Sequence, residues 1–129
     1  MSAFDSGLFS PPGGFAVRIM DLSGGNGADP VETIRGFLTL EHANTFARRY
    51  VRDSMELCRG RGMTAADVIA AWFAFGEDAE VVGGAEQAWR SAAELNDFAA
   101  RPPGDAEDRN WRALDPRRDA DGGAEEEEE

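Results

Sequence analysis

Apolar and polar positions alternate through residues 15–22, FAVRIMDL. Phe15, Val17 and Ile19 fall on one face and Ala16, Arg18 and Met20 on the other, the pattern of a strand with one buried face. Residues 23–30, SGGNGADP, form a loop by composition. Residues 31–38, VETIRGFL, predict a second strand, with Ile34 and Leu38 on one side and Thr33, Arg35 and Phe37 on the other. Both of its faces carry apolar residues. A loop of this length joins the two strands most simply as an antiparallel hairpin.

From residue 40 the period changes to that of a helix. Thr39 is a suitable N-cap, because its hydroxyl can accept from a first-turn backbone N–H. Through 40–58 the apolar stripe is Ala43, Phe46, Ala47, Tyr50, Val51, Ser54 and Cys58, spaced three and four apart. Arg48, Arg49, Arg52, Asp53 and Glu56 lie mainly off that stripe, and RGRG at 59–62 stops the helix. Thr64 opens a second helix, with Asp67 at the capping-box position and Met63 and Val68 placed as a hydrophobic staple. Its apolar face is Val68, Ile69, Trp72 and Phe73, and Gly76 is expected to end it in a left-handed conformation. Glu77 and Asp78 then mark an exposed corner before a third strand, AEVV at 79–82. A short third helix is expected from Ser91 as N-cap, with Glu94 completing its capping box and Ala92, Leu95, Phe98 and Ala99 at helical spacing. Trp89 is expected to fold back on the body.

These elements predict an α+β fold: a small, mostly antiparallel three-stranded sheet with two helices packed on one face and a short third helix. The expected core is Phe15, Val17, Ile19, Ile34, Leu38, Ala43, Phe46, Ala47, Tyr50, Val68, Ile69, Trp72, Phe73, Val81, Leu95 and Phe98. Neither end shows such periodicity. Residues 1–14 are broken by Pro-Pro-Gly-Gly, and residues 101–129 carry Pro102, Pro103, Pro116 and five terminal glutamates. The expected organisation is a disordered arm at 1–14, one domain at 15–100, and a disordered acidic tail at 101–129.

Charge and cysteine content narrow the functional classes. The net charge is −12, about half of it in the last twenty-nine residues. That balance disfavours nucleic acid and anionic membranes as partners. All thirteen basic residues are arginine. A single cysteine, Cys58, allows no intramolecular disulfide and no cysteine metal cluster. No apolar run approaches the length of a membrane span and the N-terminus lacks a secretory pattern, so a cytoplasmic location is the default expectation.

Candidate chemistry is sparse. His42, the one histidine, and Cys58 would lie about 24 Å apart on one helix at 1.5 Å per residue, too far for a nucleophile dyad. His42 is therefore expected as an exposed first-turn residue and Cys58 as a small apolar filler. GGNG at 24–27 lacks the lysine and following helix of a phosphate loop. No catalytic residue, metal ligand or cofactor is expected. Two functional classes follow. The favoured one is a non-catalytic binding or accessory protein that engages another protein, with Arg48, Arg49, Arg52, Glu77 and Asp78 as candidate contacts. The alternative is a small-molecule-binding or catalytic protein using Tyr50 and Arg35, or Glu77 and Asp78.

The stretches VRIMD, GFLTLEHANTFARRYV, GMTAADV, FGEDAEVV and SAAELNDFA resemble a group of small bacterial proteins. That group opens on a V-R-V-x-D strand, runs from a strand into T-L-E-E-A and a long helix, and continues through G-M-[ST]-A and F-G-E-D to a final Ser-Ala helix. The resemblance covers about residues 15–99. His42 departs from it by replacing the second glutamate of T-L-E-E-A. It implies the fold and no activity.

Overall fold

Strand β1, Phe15–Asp21, is the centre of a three-stranded antiparallel sheet, between β2, Glu32–Phe37, and β3, Glu77–Val82, in a computed structural model that describes residues 14–118. The expected N-terminal arm, apart from Gly14, and the glutamate run of the tail lie outside the described residues. The order is β2-β1-β3, and Val17 pairs with Ile34 on one side and Val81 on the other. Phe15, Val17, Ile19, Ile34 and Ala79 point to one face and are buried there under helix α1, Leu40–Cys58. Helix α2, Ala65–Phe75, packs beside α1, and a short helix α3, Leu95–Ala100, packs against both. The fold is α+β, as the periodicities imply.

The second strand departs from simple alternation. Phe15 pairs with Phe37 but Ala16 pairs with Arg35, so Gly36 is an extra residue opposite the Phe15–Ala16 step. Gly36 has φ +101, a conformation open to glycine at little cost, as a bulge of this kind requires. The bulge shifts the parity of everything after it. Phe37 joins Ile34 in the core, whereas Leu38, expected in the core, is 72% exposed.

Both long helices begin and end where their caps place them. Thr39 Oγ1 accepts from His42 N at 3.0 Å, and Thr64 and Asp67 form the reciprocal capping box. Gly76 follows α2 as expected, but for a different reason. Its φ of −89 is open to any residue. What demands glycine is the buried Trp72: a Cβ on Gly76 would overlap Trp72 Cδ1. Trp72 in turn donates Nε1–H to Glu77 O at 3.2 Å. Phe73, expected in the core, is 53% exposed on the outer side of α2; Met55 and Val51 of α1 fill the interior instead.

The third helix starts later than its capping signal suggests. Ser91–Ala93 is a 3-10 turn, and α3 begins at Leu95 with no side-chain cap. Glu94 serves another purpose: its carboxylate takes Arg48 Nε and Nη2 and Trp89 Nε1. Trp89 folds back as expected, its N–H donating to Asn44 Oδ1 at 2.8 Å. Two α1-side arginines hold the far end of α3. Arg59 donates to Phe98 O and Ala99 O, and Arg52 to Arg101 O, so guanidinium groups satisfy carbonyls that a helix C-terminus leaves open.

The folded body does not stop at residue 100. Residues 105–118 run back along α1 to β2 as a strap. Trp111 lies against Phe46 and Tyr50, with ring centroids at 5.8 and 4.8 Å, and donates Nε1–H to Asp53 Oδ2. Arg109 Nε reaches Asp53 Oδ1 at 2.7 Å. His42 is half-buried rather than exposed: it packs edge-on to Phe37 and bonds Leu114 O through Nε2 at 2.6 Å. A carbonyl only accepts, so Nε2 carries the proton. Pro116 approaches Gly36, and Arg117 bridges Asp115 and Glu32. Low apolar density concealed this segment, because two anchors, Trp111 and Leu114, are too few to show a period. No helix among the described residues is long and apolar enough to cross a membrane.

Candidate binding groove

One face of α1 carries Tyr50, Asp53, Ser54, Leu57 and Cys58, at spacings that place them in a single row along the helix. Ala71 and Phe75 of α2, four residues apart, face this row from one side; Trp111 and Arg112 of the strap face it from the other. Gly76 and Glu77, where α2 passes into β3, close the end. The result is a groove in two joined parts. The larger, about 440 Å³, is lined by Ser54, Leu57, Cys58, Ala71, Phe75, Gly76 and Glu77. The smaller, about 200 Å³, shares Ser54, Leu57 and Glu77 and adds Tyr50, Asp53, Trp111 and Arg112. Leu57 and Phe75 stand at the rim, 74% and 76% exposed.

The polar groups of the groove are committed to its own walls. Tyr50 donates its hydroxyl to Glu77 Oε1 at 2.6 Å, and Ser54 Oγ accepts from Glu77 N at 2.9 Å. Asp53 is held by Arg109 and Trp111. Burial, and then the Glu77 carboxylate, push the Tyr50 phenol far above its usual range, so it remains a protonated donor. Burial likewise pushes the Cys58 thiol up, which keeps it from the reactive thiolate form. These are the features of a built surface, not of an acid–base pair or an activated nucleophile. Among the described residues, no three His, Cys, Asp or Glu side chains converge as metal ligands would.

The structure redistributes the candidate contact residues. Glu77 and Asp78 are not an exposed corner: both belong to β3 and are half-buried. Glu77 lies on the α1 side, at the groove. Asp78 lies on the other side, where its carboxylate accepts from Ala79 N at 2.9 Å and hydrogen-bonds Ser91. Burial raises its pKa. Asp78 thus occupies an outward N–H of the edge strand, which would otherwise invite pairing with another chain. Arg48, Arg49 and Arg52 form no free positive stripe. Arg48 pairs with Glu94; Arg49 reaches Asn110 O and Glu107; Arg52 is buried over the Phe98 ring at 4.4 Å. Tyr50 and Arg35 do not meet, because strand alternation puts Arg35 on the sheet face away from α1.

Leu57, Phe75 and Trp111 escaped the sequence reading. Leu57 and Phe75 did carry a signal, since each is a large apolar residue three positions after a buried one, Ser54 in α1 and Trp72 in α2. Their meaning depends on α1 and α2 lying side by side. The comparisons with known proteins add no family to this picture: no family model, curated protein or solved structure matches the chain.

Proposed function

We propose that this is a non-catalytic binding protein whose groove between α1, α2 and the strap seats a large apolar side chain of another polypeptide. The observation that carries this reading is the rim. Leu57 and Phe75 expose three quarters of their surface on either side of a recess large enough for such a side chain. A small molecule inside the recess would leave both rim residues in water; a polypeptide crossing it would cover them. The internal use of Tyr50, Ser54 and Asp53 argues against the catalytic alternative, because each holds a wall in place.

Selection of twelve-residue peptides from a random library against the full chain tests the reading. Selected peptides should share a Leu, Phe, Trp or Met anchor. The double variant Leu57→Ser, Phe75→Ser should weaken them at least tenfold with an unchanged thermal midpoint, since both side chains are mostly solvated already. Peptides that bind the double variant as well as the parent would refute the groove as the site.

A further inference from the structure

We infer that the Glu77 end of the groove receives a cation, so the segment it prefers carries a lysine or arginine beside its apolar anchor. This rests on the binding reading above and names the chemistry of the partner. Asp21 and Glu77 are directly opposite across the β1–β3 pair, on the same face of the sheet. Like charges so placed repel.

Several acids of the sheet and of α1 are paired with arginine. Glu80 meets Arg18, Glu56 meets Arg59, Asp53 meets Arg109 and Glu32 meets Arg117. The Asp21–Glu77 pair has no such partner among the described residues. Asp21 is held by Ser23 N and Oγ, and the Glu77 carboxylate by the Tyr50 hydroxyl alone. Glu77, Glu32 and Asp53 all act on the Tyr50 phenol in the direction of negative potential.

Two further features suit a cation. Trp111 presents an indole beside Tyr50, and the chain's own Arg112 lies 4.3 Å over that ring, so the surface already accepts a guanidinium. Arg112 stacks there and makes no ion pair among the described residues, leaving Glu77 unanswered. The apolar part of the groove adjoins Glu77 directly, so an anchor and a cation one or two residues apart reach both at once.

Three probes of one shape separate the terms: 4-phenylbutylamine, 4-phenylbutanol and 4-phenylbutyrate, titrated into the full chain and followed through backbone amide shifts at physiological salt. The amine should bind at Ser54–Cys58 and Phe75–Glu77 at least about threefold more tightly than the alcohol, as one partly exposed ion pair allows, and the butyrate most weakly. Glu77→Gln keeps an acceptor for Tyr50 and should abolish the difference in affinity between amine and alcohol. Glu41→Gln, an exposed charge at the start of α1, should leave the amine preference intact, which distinguishes a local partner from the general field of an acidic protein. Equal binding of amine and alcohol, or an amine preference that survives Glu77→Gln, would overturn the cation site while leaving the groove. If none of the three probes moves the groove amides, the binding reading itself fails.

Discussion

Trp111→Ala isolates the strap, the part of the body that periodicity did not show. The substitution removes a half-buried indole that touches Phe46 and Tyr50 and donates to Asp53 at 3.1 Å. A fully buried Trp costs ~3–5 kcal/mol on truncation to Ala, so roughly half applies to packing here. Loss of a hydrogen bond to a carboxylate adds ~1 kcal/mol, less than its full value because Asp53 keeps Arg109. The expected total is ~2.5–3.5 kcal/mol. For a domain of this size that lowers the thermal midpoint by roughly 10 °C or more. Differential scanning calorimetry of the full chain measures it directly. Trp111→Phe should recover most of the packing and lose only the hydrogen bond. Truncation after Gly104 should cost at least as much as Trp111→Ala, since it also frees His42 from Leu114 and Glu32 from Arg117. A fall of less than about 3 °C for Trp111→Ala would refute the strap as part of the folded body, and the domain would then end near residue 100.

Gly76→Ala should destabilise by ~1–3 kcal/mol through overpacking alone, because its backbone angles are open to alanine and only Trp72 stands in the way; a urea titration measures it, and an unchanged stability would refute the steric account. Asp78 has a folded pKa raised by burial, so the folded state holds its proton more firmly than the unfolded one. Stability from this group is present below its ordinary value of 3.8 and is lost as pH rises through the raised value. Asp78→Asn should remove that loss, leaving the variant at least as stable as the parent at pH 7, as urea titrations across the range would show; a variant less stable at pH 7 would mean the carboxylate earns more from Ser91 and Ala79 than burial costs it.

Much of the architecture follows from signals that span four residues or fewer. Alternation marks β1, helical spacing marks α1 and α2, and the hydroxyls of Thr39 and Thr64 set their starts. Each is a property of neighbours in the chain, so it survives in the sequence unaided. The remainder depends on residues that meet only after folding. Gly36 reads as one more strand position, yet pairing with β1 makes it a bulge and sends Phe37 inward in place of Leu38. Arg48, Arg49 and Arg52 read as a solvated positive stripe, yet α3 and the strap bring Glu94, Glu107 and the carbonyls of Asn110 and Arg101 to them. Glu77 reads as a corner, yet Tyr50 and Ser54, more than twenty residues earlier, draw it into the wall of a groove. The groove itself has no local signature. It exists because α1 presents one row of side chains to two segments that approach from opposite sides, and a one-dimensional pattern records the row but not the approach.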